Sequence, residues 1–232
     1  MVGVGSRITG EGDRRRHEIQ LWKFVAVIAV IEVMNIILTN RVHALGLEQQ
    51  GLAIELDVVR SVERAANYLF LAFLLVAVFQ IILQRRSEAH VSSKRIAPTM
   101  MVVYLGVASF NVAMNILVLV LVPDLQDASQ TDLIAILGLI FLSNMLVFSL
   151  WYQLADYYLP GGAFDFPPNA AHPEDPPRWV DYVSLSFFTQ STFGPTLEGV
   201  RTRPVKVLMM IQTSLALVVL VVLIARIIRA PV

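Results

Sequence analysis

Apolar residues in this chain come in long blocks separated by short polar links, the pattern of helices that are hydrophobic on every side. Five blocks approach the roughly 20 residues that a helix needs to cross a hydrocarbon core of about 30 Å. They are Leu21 to Thr39, Tyr68 to Leu83, Met100 to Val122, Leu133 to Leu154 and Val205 to Ile228. The second is the shortest. Before it, Leu52, Leu56, Val59 and Val62 recur at helical spacing among charged residues, so the run Gly51 to Asn67 either prolongs that helix or lies along the membrane surface. A sixth stretch, DYVSLSFFTQSTFGPT from Asp181 to Thr196, is too polar and too broken for an ordinary span. It reads as a short helix, then a turn, then the long apolar helix that begins at Val205. Irregular backbone of this kind is tolerated at membrane depth only where protein or a water-filled cavity surrounds it. The predicted fold is therefore an all-α integral membrane protein with five transmembrane helices and one re-entrant, pore-like half-helix before the last span.

This divides the chain into a basic tail over residues 1–20, a four-helix membrane bundle over 21–156, a Pro-rich loop over 157–180, and the re-entrant segment with the final helix over 181–232. The first apolar block is long for the core of a signal peptide. It carries Glu32 and Asn35 and is followed by Thr-Asn-Arg-Val-His rather than by a small-residue cleavage site, which predicts a retained helix. The loop from Leu159 to Pro177 holds six prolines, which exclude a regular element there.

Composition sharpens the class. Of 232 residues 56% are hydrophobic and 16% charged, against about 25% charged in soluble domains. Lys plus Arg and Asp plus Glu balance at 18 each, which gives no basic surface for a nucleic acid. The chain has no cysteine, and its four histidines are scattered. Neither a metal site nor a cofactor is expected.

Basic residues set the expected orientation. Arg85, Arg86, Lys94 and Arg95 lie between the second and third spans, whereas Pro123 to Asp132 has three aspartates and no basic residue. With Arg7, Arg14, Arg15, Arg16 and Lys23 before the first span, the rule places the N-terminus in the cytoplasm of a multi-pass cell-membrane protein. Five spans then leave 13 basic residues inside and five outside, with the pore-like segment opening inward. If Trp179 to Leu197 crosses completely instead, the numbers become 12 and six. The sequence leaves both arrangements open.

At Thr189-Gln-Ser-Thr192-Phe193-Gly194-Pro195-Thr196 the chain resembles the pore signature of the tetrameric potassium-channel superfamily. Members of that family carry a TxxTxGYGD-type filter between a pore helix and an inner helix. Thr189 and Thr192 stand at the family threonines, Phe193 at the apolar filter position and Gly194 at the first filter glycine. The resemblance implies that carbonyls from Thr192 to Thr196, contributed by four subunits, take the place of a cation's hydration shell. Pro195 replaces the family aromatic, Thr196 the second glycine and Leu197 the acidic residue, so potassium selectivity is not implied. Gly161, Gly162, Phe164, Asp165, Phe166 and Pro167, ahead of a Tyr/Ser/Phe-rich stretch, also give a layout similar to uncharacterised bacterial multi-span membrane-protein families.

Polar residues inside the spans are the remaining candidates. Glu32 lies eleven residues into the first block, where an ionisable group costs about 2.5 to 3.5 kcal/mol on insertion scales unless it is paired or neutral. It is read either as a cation or proton site with Asn35 as neighbour, or as a packing carboxyl. Asn111 and Asn115 share a helix face, and with Asn144 they are expected to meet as interhelical glue. Gln212 either lines a pore or packs.

Three functions follow. They are a channel-like pore passing a monovalent cation as a homo-oligomer (a tetramer if channel-like), a non-conducting scaffold or accessory subunit, and a proton- or ion-coupled carrier using Glu32. The lipid bilayer is the common partner. Ser184, Ser186, His172 and Asp181 form no nucleophile-and-base pattern, so catalysis is not expected.

Overall fold

In this computed structural model the described residues are 21–44, 93–121, 129–167, 176–191 and 198–229, with the separate helical positions Ser61, Ala65, Tyr68, Leu71, Ala72, Leu75 and Val76. Five helices are traced along them: α1 (Leu21–Ala44), α2 (Ser93–Leu121), α3 (Gln130–Tyr158), α4 (Trp179–Gln190) and α5 (Arg203–Arg229). Thr99–Leu117, Gln130–Tyr158 and Arg203–Ala225 are long and apolar enough to cross a membrane. The helices outrun the apolar blocks that announce them, because a block marks only the part suited to hydrocarbon. The expected span Tyr68 to Leu83 falls largely outside the described residues.

Local chemistry fixes the ends. Ser129 Oγ accepts the Asp132 amide at 3.1 Å and caps α3. At the other end Leu159 is extended, as the residue before Pro160 must be, and Gly161 and Gly162 then turn the chain at φ +78° and +79°. The Arg178 amide donates to Asp181 Oδ2 at 2.6 Å, the return half of a capping box that starts α4 directly after Pro176 and Pro177. Pro204 sits in the first turn of α5, where its missing N–H is harmless.

Two apolar clusters hold the bundle. One joins α1, α2 and α3 through Phe24, Ile28, Ile31, Leu105, Ile116, Ile140 and Val147. The other joins α3, α4 and α5 through Phe148, Tyr152, Tyr182, Leu185, Val205 and Met209. The α5 face that is buried repeats at helical spacing, Val205, Met209, Gln212, Ala216 and Val219, while Val207, Met210 and Val221 on its other sides remain exposed and apolar.

Directions follow from side-chain pairs. Arg41 Nη1 meets Asp132 Oδ1 at 2.6 Å, so the end of α1 lies beside the start of α3 and the two run antiparallel. The eight residues between α2 and α3 reach about 30 Å at most, too short to return along the roughly 43 Å of α3, so α2 is antiparallel to α3 as well. Helices α1 and α2 are therefore parallel, and the buried Tyr104–Glu32 pair lies eleven residues from the start of each.

Candidate functional site

The short helix α4 is the centre of the site. Its 12 residues rise about 18 Å, well short of a hydrocarbon core of about 30 Å. It starts beside the end of α3, where Tyr182 Oη donates to Asp156 Oδ2 at 2.6 Å. It runs antiparallel to α3, with Ser186 Oγ donating to the Met145 carbonyl at 2.7 Å. It stops at Gln190, whose Nε2 donates to the Phe141 carbonyl at 2.8 Å. By Gly199 the chain is back at the end it left, because β2 (Gly199–Val200) pairs antiparallel with β1 (Phe164–Asp165). The steps from 190 to 199 extend to about 30 Å at most, ample for that return.

Where the chain enters and leaves around α4, a strap is built on Asp156, which is 3% exposed. Its Oδ1 accepts the amides of Ala163 at 2.5 Å and Phe164 at 3.1 Å while Oδ2 takes the Tyr182 hydroxyl. One carboxylate thereby fixes the Gly-Gly turn to the first turns of α4. A Cβ on Gly162 would lie 2.9 Å from Asp156 Oδ1, so glycine is required there for space as well as for its positive φ. Phe164 and Phe166 face inward with the two-residue period of an extended chain and reach Tyr152 and Tyr182, at ring-centroid distances of 5.4 and 5.2 Å. Asp165, between them, faces out to Arg201 Nη2 at 2.8 Å, and Arg201 Nη1 donates to the Gly161 carbonyl.

Deeper in the bundle, side chains from three helices meet around Gln212, which is 0% exposed. Its Oε1 accepts the Tyr152 hydroxyl at 2.5 Å. Its Nε2 faces Ser186 Oγ at 2.7 Å, the Ser186 carbonyl at 3.1 Å and Gln190 Oε1 at 3.3 Å. Thr213 Oγ1 reaches the Thr189 carbonyl at 3.4 Å. At the end of α4 the Ser191 amide and Oγ both donate to the Phe187 carbonyl, at 2.9 and 2.8 Å. Among the described residues the seat of α4 is thus made of hydroxyls, amides and backbone groups.

The predicted residues fall into three places. Thr189 is buried, with its hydroxyl turned back to the Leu185 carbonyl, and Gln212 belongs to the seat. Thr192, Phe193, Gly194, Pro195 and Thr196 lie outside the described residues. Glu32, Asn35, Asn111, Asn115 and Asn144 belong to the α1–α3 half. Glu32 is 5% exposed and accepts the Tyr104 hydroxyl at 2.6 Å across the α1–α2 contact. Asn35, less than a turn beyond Glu32, is buried too. Asn115 donates to Asn111 within α2 at 3.3 Å. Asn144 does not join them, because neither of its amide atoms finds a hydrogen-bond partner among the described residues. The expected meeting of the three asparagines is therefore corrected to one pair within a single helix.

Sequence reasoning passed over Asp156, Tyr152 and Tyr182. A clue to Asp156 was its place in LADYYLPGG, an acid in the last apolar turns of a helix just before two glycines. Comparison of the chain with protein-family models, curated proteins and solved structures gives no match.

Proposed function

We propose that this chain is the pore-forming subunit of an ion-channel-like membrane protein that passes monovalent cations. Its spans are α1, the segment Tyr68 to Leu83, α2, α3 and α5, and α4 is a re-entrant half-helix. The observation that carries this reading is the course of the chain around α4. It goes in beside Asp156, stops beside Phe141 and is back at the same end by Gly199. A half-helix followed by non-helical backbone at membrane depth is the construction from which filters are built, and it needs a protein or aqueous surround. The resemblance of Thr189 to Thr196 to a filter points the same way, and the subunits would assemble as a homo-oligomer in the cell membrane, with four copies if the family's symmetry holds.

A carrier is the second reading, favoured by the buried Glu32–Tyr104 hydrogen bond between α1 and α2. One experiment separates the two. Potassium, sodium and proton flux are measured in liposomes containing wild type, Gly194→Val or Glu32→Gln. Loss of cation flux in Gly194→Val, with the protein still folded and inserted, is the expected result. Unchanged flux in that variant together with loss in Glu32→Gln would replace the pore by a carrier, and absence of flux from all three would favour a non-conducting scaffold.

A further inference from the structure

We infer that the start of α5 holds an anionic phospholipid, its phosphate clamped by Arg203 and Lys206 and an acyl chain lying along the outer side of the helix. The inference rests on the membrane insertion proposed above, but not on conduction or on which way round the bundle is inserted.

The outer side of α5 has the right layout. Arg203, Val207, Met210, Ser214, Leu217 and Val221 follow one another at intervals of four and three residues, so they share one side of the helix, and all six are exposed. That side lies opposite the buried one that starts at Val205. Lys206, three residues after Arg203, is exposed as well, and at that helical spacing the two side chains leave the backbone about 5 to 6 Å apart. From Val207 to Leu217 the helix rises about 15 Å, half of a hydrocarbon core of about 30 Å and therefore the depth of one leaflet. Tyr157 and Tyr158, exposed at the end of α3 that meets the start of α5, mark the level at which aromatic rings favour the membrane–water interface. The two cations thus stand at headgroup height, with apolar surface leading away from them into the leaflet.

Charge selects the occupant. Arg201, two residues before α5, is bound to Asp165 and to the Gly161 carbonyl, and Arg41 at the far end is bound to Asp132. The side chains of Arg203 and Lys206, by contrast, make no hydrogen bond or ion pair with any described residue. Two neighbouring cations above an apolar stripe complement a molecule with a phosphate at one end and hydrocarbon behind it. The planar guanidinium takes two phosphate oxygens at once, and the ammonium adds a point charge. A zwitterionic headgroup brings an ammonium of its own and gains less from such a pair. A second copy of the chain fits worse, because the same side of another subunit would set like charges together. Nor does another subunit offer a spare acid at this end, since Asp156, Asp165, Asp181 and Glu198 each have partners.

The purified chain in detergent is offered equal amounts of phosphatidylglycerol and phosphatidylcholine, and the lipids it retains are identified by native mass spectrometry. The expected result is a preference of the wild type for phosphatidylglycerol that falls roughly fivefold for each charge removed, and up to about 25-fold in Arg203→Gln/Lys206→Gln. Arg203→Lys/Lys206→Arg keeps both charges and is expected to keep the preference, which separates loss of the clamp from loss of the fold. Equal retention of the two lipids by the wild type, or an unchanged preference in the glutamine double variant, overturns the inference. A disulfide between two copies of Met210→Cys, in a chain that otherwise has no cysteine, would assign the stripe to a second subunit and overturn it too. Retention of neither lipid would remove the membrane reading along with the inference, whereas an absence of ion flux leaves a measured lipid preference standing.

Discussion

A single carboxylate at position 156 does three jobs in the strap. It accepts two backbone amides and one phenol while being almost wholly shielded from solvent. Removing an acceptor strands those donors, and each buried donor left without a partner costs about 1 to 3 kcal/mol. Asp156→Ala is therefore expected to lower the thermal midpoint in detergent more than Tyr182→Phe, which deletes one of the three hydrogen bonds and leaves no orphan donor. Equal losses would show that the amides are satisfied in another way. Gly162→Ala is expected to destabilise as well, because its Cβ would press on Asp156 Oδ1 and its φ of +79° disfavours any side chain. Beyond an acid standing shortly before two glycines, little of this was legible in the sequence. The amides that Asp156 holds lie seven and eight residues on and the phenol 26 residues on, and nothing in a periodicity couples such positions. Glu32 was legible as an anomaly, since an acid inside an apolar block stands out, but its partner Tyr104 is 72 residues away, a separation that no periodicity spans.

Among the elements, α2, α3 and α5 were the easiest to foresee, because each is written as one long apolar run of the length that a membrane-crossing helix needs. The half-helix α4 was legible as a short helix with a polar side. The use of that side was not. Gln212 read as lining a pore or packing, and the fold turns it, with Ser186 and Gln190, toward one another and toward Tyr152. Such bonds between membrane helices average about 0.6 kcal/mol and reach about 1.7 kcal/mol. Gln212→Leu should therefore loosen α4 by about 1 to 3 kcal/mol in total, part of it from the Tyr152 hydroxyl left without its acceptor. Adding Tyr152→Phe to Gln212→Leu should restore some of that loss, because residues in one network are not additive. A double-mutant cycle in detergent unfolding measures this, and strict additivity would mean that the two side chains act independently.

For the whole molecule, the decisive relation is that α1 and α2 run parallel and both oppose α3. The sequence could count apolar blocks but could not say which ends meet, since that depends on pairs such as Arg41 and Asp132, 91 residues apart. With 29 residues, α3 is about 43 Å long. Spin labels at Arg41→Cys and Gln130→Cys should consequently be close, and labels at Arg41→Cys and Pro160→Cys separated by roughly the length of α3, about 40 Å. Similar distances for the two pairs, measured by pulsed electron paramagnetic resonance, would contradict the arrangement. The same relation puts the first turn of α1 and the start of α4 at one end of the bundle.

The make-up of the α4 seat has an electrical consequence. A transmembrane voltage does work on charge, about 2.3 kcal/mol per elementary charge moved through 100 mV. Tyr152, Ser186, Gln190 and Gln212 hold α4 through hydroxyls and amides whose dipoles are locked against one another and against backbone carbonyls. If the protein is inserted as proposed above, a field finds no net charge to pull on within that cluster of described residues, whereas the Asp156 carboxylate, which holds Tyr182 near the start of α4, offers one.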